Sequence, residues 1–173
     1  MKATKNGKPK KQKTMRKLQS DKSSRKPRGE KKESVASLKR KADKYFSLYI
    51  RLRDSDEFGV GDCITCGDKK HYKQMQCGHF VSRKTNALRY DEENCNLQCV
   101  GCNMFKAGEQ YQYSKALDLK YGEGTADRLF AQRFDSHKFT REELEEVIHD
   151  SKEQCKFYEN HNANYQREET HVS

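Results

Sequence analysis

From Ser34 onward apolar side chains return every three or four residues. Val35, Leu38, Ala42, Tyr45, Phe46, Tyr49 and Leu52 form one stripe, which predicts an amphipathic helix ending near Asp54. After Gly59 and Gly61 the pattern shortens. Residues 62–66 and 75–81 read as strands, and the polar run between them, GDKKHYK, predicts a turn joining the two as a small irregular hairpin. The stretch CVGCNMFKAGEQ predicts a short helix that ends at Gly108. Residues 111–121 and 126–134 predict two further helical pieces divided by the glycines of GEG. Thr140 followed by Glu143 is a capping-box signature, and Leu144, Val147, Ile148 and Cys155 predict a last helix that fades near Asn160.

Residues 1–32 carry no such periodicity. They hold 14 Lys or Arg against Asp21 and Glu30, a net of +12, while the other 141 residues hold 22 basic and 24 acidic groups. Both prolines lie there and almost nothing apolar does, so this segment cannot offset its chain entropy by burial and is expected to be a disordered basic tail. Such an arm releases counterions when it lies along phosphates, which points to nucleic acid; a solubilising tail or a localisation signal are the other readings. The expected organisation is therefore tail 1–32, folded domain 33–160 and frayed C-terminus 161–173. Across the chain 36% of residues are charged and mean hydropathy is -1.24. No run approaches the ~18 apolar residues of a membrane span, and no apolar segment follows the basic N-terminus as in a secretory signal. A soluble protein of the cytoplasm, with no membrane partner, is expected.

The seven cysteines are an odd number, and four of them form the pairs Cys63-x2-Cys66 and Cys99-x2-Cys102. That pattern fits metal binding in a reducing compartment better than a disulfide framework. Four thiolates complete the tetrahedral shell of structural zinc and leave no vacancy for water, so this ion is assigned to folding and not to chemistry. The 32 residues between the pairs are expected to be structured and clamped by the metal. Cys77 and Cys95 lie near this site as small buried apolar residues, substitute ligands or an oxidisable pair, and Cys155 reads as a core residue.

Within and just after the insert stand Gly78-His79-Phe80, Asn94 and Asn103-Met-Phe-Lys106. The order Cys-x2-Cys, Gly-His, Asn, Cys-x2-Cys-Asn-x2-Lys resembles HNH endonucleases. The runs CITCG, QCGHFVSR, LRYDEENCNLQC and CNMFKAG resemble the phage NinG/Rap recombination family across roughly residues 60 to 110. The resemblance implies an α+β fold: a small zinc-stabilised ββα-metal core of HNH type, with helical flanks beside the basic tail. It implies a metal-dependent DNA endonuclease of phage recombination acting on branched DNA such as Holliday junctions and D-loops. His79 would be the general base, because a free imidazole is largely neutral near pH 7. Asn94 would orient the ring through its carbonyl, with Asn96 as the other choice of register. Asn103 would hold a catalytic Mg or Mn ion, and Arg83 and Lys106 would contact phosphate.

HNH proteins often carry an aspartate directly before the base, and Gly78 stands in that place. Asp91, Glu92 or water would then supply the second metal ligand, or the site would hold its metal weakly and mainly through the substrate phosphate. This departure favours the rival reading, a non-catalytic zinc-stabilised protein that binds or remodels recombination intermediates. Cutting both strands of a symmetric junction would be simplest for a homodimer, with other phage recombination proteins as partners.

Overall fold

The computed structural model describes residues 32–171, with side chains described through 162; the basic tail expected at 1–32 therefore lies outside the described residues except for Lys32. Helix α1, Val35–Arg53, follows the predicted stripe and is N-capped by Ser34, whose Oγ accepts from the Ser37 amide at 3.2 Å. Helix α4, Arg141–His171, begins with the predicted capping box: the Thr140 amide donates to Glu143 Oε2 at 2.7 Å and the Glu143 amide to Thr140 Oγ1 at 3.2 Å. It does not fade near Asn160. No glycine or proline interrupts residues 141–171, so the backbone continues in helical form.

Helices α1 and α4 lie side by side and run in the same direction. Leu38 and Ala42 pack with Leu144 and Ile148, Cys155 Sγ reaches Tyr45 O at 3.8 Å, and Tyr49 faces Tyr158 at 6.2 Å. Between them in sequence the chain builds two small antiparallel sheets. Strand β1 (Val60–Asp62) pairs with β2 (Lys69–His71), and β3 (Met75–His79) pairs with β4 (Cys95–Cys99), with Met75 opposite Cys99 and His79 opposite Cys95. The hairpin expected between 62–66 and 75–81 is thus replaced by two others. The reason is local: Gly67, at φ +73°, turns the chain at once after Cys66, and the return strand is the polar Lys69-Lys70-His71, which carries no apolar signal.

After β4 come a five-residue π-helical turn, Gly101–Phe105, then α2 (Gln110–Tyr121), α3 (Thr125–Ala131) and a 3-10 turn, Gln132–Phe134. Helices α2 and α3 close over Phe80, Val81 and Leu88 through Tyr113, Leu117 and Leu129. The fold is α+β, as expected. The helical element directly after β4 is the π turn, not a regular helix. Among the described residues no helix is long and apolar enough to cross a membrane.

Candidate active site

Cys63 and Cys66 stand in the β1–β2 loop, Cys99 closes β4 and Cys102 lies on the π turn. Their four sulfurs lie within 4.8 Å of one another, with Cys66 and Cys99 3.9 Å apart. A tetrahedron of thiolates around zinc has edges of about 3.8 Å, so the cage fits one such ion. Backbone amides already point at the sulfurs: Cys99 N–H donates to Cys63 Sγ at 3.2 Å and Cys102 N–H to Cys99 Sγ at 3.4 Å. Burial pushes the Cys63 thiol up, but the Cys99 amide, the Thr65 hydroxyl and the Cys66 amide outweigh it and bring the group down to about 6. The cage packs on Met75 and Leu97, so it ties the β1–β2 loop to the β3–β4 hairpin.

Beside the hairpin lies a groove of about 1060 Å³. Arg51, Arg83, Arg89 and Arg133 line it, and Asp43 is the one carboxylate among its lining residues. That carboxylate is engaged. Arg89 grips it with Nε at 2.7 Å and Nη2 at 2.6 Å, and Tyr90 O–H donates to it at 3.0 Å. Burial would raise Asp43, but Arg89 holds it below the ordinary carboxylate range. The groove is therefore net basic. Arg133 is positioned by its own neighbours, stacking over Phe130 at 4.0 Å and Phe134 at 4.2 Å.

His79, at the end of β3, lines the groove. Its Nε2 donates to Arg89 O at 3.2 Å, which leaves the lone pair of the neutral ring on Nδ1. Burial lowers its pKa below the free value and the Arg83 and Arg89 charges act in the same direction, together outweighing the Arg89 carbonyl, whose bond favours the charged ring. Asn103 lines the same groove and donates from Nδ2 to Gln76 Oε1 at 2.6 Å, leaving its carbonyl as the acceptor end.

The other residues expected at the site are placed differently. Asn94 is fully buried and its carbonyl does not orient the ring: Oδ1 accepts from Val81 N–H at 2.7 Å, and Nδ2 donates to Val81 O and Leu88 O, each at 2.9 Å. It clamps the loop after His79, and the ring is held by Arg89 O instead. Asn96 faces away, its carbonyl accepting from Lys120 and Tyr121, each at 2.8 Å. Asp91 accepts from the Asn94 amide and Glu92 from Tyr49, so neither joins the groove lining. Arg83 lines the groove, whereas Lys106 is exposed outside that lining and pairs with Glu109 at 3.0 Å. Sequence reasoning missed Arg51, Arg133 and Gln76, which come from α1, the turn after α3 and β3, and no spacing rule links them.

A protein-family model described as Bacteriophage Lambda NinG protein matches residues 1–161. The ninG proteins of Escherichia phage 933W and Salmonella phage P22 are each 30% identical over 109 residues, covering 62% of this chain and 51% of each relative. The ninG protein of Escherichia phage lambda is 29% identical over 109 residues, covering 62% of this chain and 50% of its own. The chain spans about half the length of the curated relatives it matches. No solved structure matches.

Proposed function

The chain belongs to the phage lambda NinG family, and from that premise we propose that it is a metal-dependent DNA endonuclease of phage recombination, with His79 as its general base. The observation that carries this reading is a carbonyl-anchored imidazole inside a groove lined by four arginines and one engaged carboxylate. A strand ending in the base, a loop, a second strand and a helical turn bearing Asn103 follow the ββα order that the HNH resemblance implies.

Nδ1 of His79 takes the proton from a water that attacks the phosphorus, the bond from phosphorus to the 3′ oxygen breaks, and that oxygen leaves and is protonated by solvent. Arg83 and Arg133 draw the DNA backbone in and offset charge on the phosphoryl oxygens. Asn103 offers one carbonyl to a hard cation, and the only groove carboxylate is held by Arg89, so such an ion would take its remaining oxygens from the phosphate and water. When bound, magnesium or manganese supplies charge relief at the leaving oxygen. The cysteine cage is scaffold for the hairpin and stands outside the reaction. Branched DNA is the proposed substrate class on the family's ground, and host cytoplasm the proposed place of action.

The test is cleavage of labelled junction and duplex DNA with and without Mg2+ or Mn2+, wild type beside His79→Ala. Metal-dependent cutting that falls by about 10²–10⁴-fold in the variant, with DNA binding and zinc content kept, is expected. The second reading, a DNA-binding protein without catalysis, is favoured by the lack of a free carboxylate in the groove among the described residues. Equal behaviour of the two proteins selects it.

A further inference from the structure

We infer that Cys77, His79 and Cys95 form a second, three-ligand site for a zinc-class ion, and that an ion held there withdraws His79 from service as a base. The first half stands on geometry; the second rests on the endonuclease reading above.

The β3–β4 register sets His79 directly opposite Cys95, and Cys77 lies two residues back on the same face of β3. The ligand atoms of the three residues all lie within 4.8 Å of one another. The carbonyl of Arg89 accepts from both groups, lying 3.2 Å from His79 Nε2 and 3.8 Å from Cys95 Sγ, and so holds ring and thiol side by side; an ion bound through Nε2 displaces that hydrogen bond and leaves the ring proton on Nδ1. Two sulfurs and an imidazole nitrogen are the borderline-soft donors that zinc prefers, and three protein ligands leave a fourth position open. Two thiolates also cancel the charge of a divalent ion, so the loaded centre is formally neutral beside the arginines.

This centre is separate from the four-cysteine cage. Cys95 and Cys99 are four residues apart on β4, about 13 Å along the strand, so the two centres occupy opposite ends of one hairpin. Cys77 and His79 line the groove, and Cys95 is fully buried behind them. The groove that Cys77 and His79 line is therefore the route by which an ion reaches the three ligands. A neutral imidazole has one lone pair. Donated to an ion, that pair is closed to the proton of an attacking water, so zinc loading and base function exclude each other.

The experiment uses the full chain, reduced and handled without oxygen. After loading with zinc and removal of excess, elemental analysis should give two zinc per chain for wild type and one for Cys77→Ser and for Cys95→Ser. Cobalt substitution is the second measurement: sulfur-to-cobalt charge-transfer intensity should fall by about a third in Cys77→Ser, from six thiolates to four. Thermal unfolding shows that each variant is folded, and Cys77→Ser, altered at a half-buried position, covers the case in which Cys95→Ser fails. Cleavage in excess magnesium is then compared at one and at two equivalents of zinc. The second equivalent should abolish wild-type cutting, whereas in Cys77→Ser the ratio of the two rates should stay near one. One zinc per chain in wild type, or an unchanged cobalt spectrum in the variant, overturns the site. Two zinc with no inhibition overturns the coupling to His79. If no condition gives cleavage, the endonuclease reading fails, and the metal count still decides the site.

Discussion

Replacing Asn94 by alanine separates two roles that the residue could hold. Its side chain makes three buried hydrogen bonds, to Val81 N–H, Val81 O and Leu88 O, and these span the loop that leads from His79 to Arg89. At about 1 kcal/mol each they contribute about 3 kcal/mol, and stranding one buried amide and two carbonyls raises the expected loss to about 3–5 kcal/mol. For a folded region of this size that is a fall in Tm of roughly 10–15 °C. Urea unfolding at fixed zinc concentration is the assay, because metal linkage otherwise shifts the midpoint; the midpoint should drop with m unchanged. A loss below about 1 kcal/mol accompanied by a large fall in cleavage would refute the clamp and restore Asn94 as a direct partner of the imidazole.

Three further outcomes follow from other parts of the fold. Burial would raise Asp54, but Arg53 and Lys120 outweigh it and hold the carboxyl below its ordinary range. The unfolded chain then binds the extra proton first, so this stability is complete above about pH 4 and is lost as pH falls through the folded-state value; Asp54→Asn should flatten that acid limb in pH-dependent urea melts. Gly61→Ala would place a Cβ 2.3 Å from Asp54 O and 2.5 Å from Leu97 Cδ2, and since a backbone carbonyl cannot swing aside, a loss of about 3 kcal/mol is expected by thermal unfolding. Deleting residues 1–32, or replacing Arg83 by alanine, should weaken DNA binding and reduce the slope of log K against log salt by about 0.9 per lost phosphate contact, as read by fluorescence anisotropy.

The parts legible in sequence were those whose cause is local. The α1 stripe, the Thr140–Glu143 box and the paired cysteines each act within a few residues, and each is found where it was expected. Strands β2 and β4 escaped for opposite reasons. Lys69 and Lys70 are exposed, so pairing leaves no apolar trace, while Asn96 and Gln98 are buried polar residues whose partners come from distant segments. The groove is harder still to read. Arg89 is aimed by Asp43, which lies 46 residues earlier on α1, and its carbonyl in turn fixes the His79 ring. A one-dimensional pattern contains His79 but not the support that fixes its ring.

A Cβ at Gly78 would fall 2.3 Å from Gln98 Oε1 and 2.9 Å from Gln98 Cβ, and that same oxygen has no donor among the described residues. The two positions are therefore interlocked across the ladder, where Gly78 lies opposite Asn96 and beside Gln98. A carboxylate cannot be grafted before the histidine by one replacement. Moving this hairpin toward an Asp-His sequence requires trimming residue 98 in the same step, so the two strands have to be redesigned as a pair.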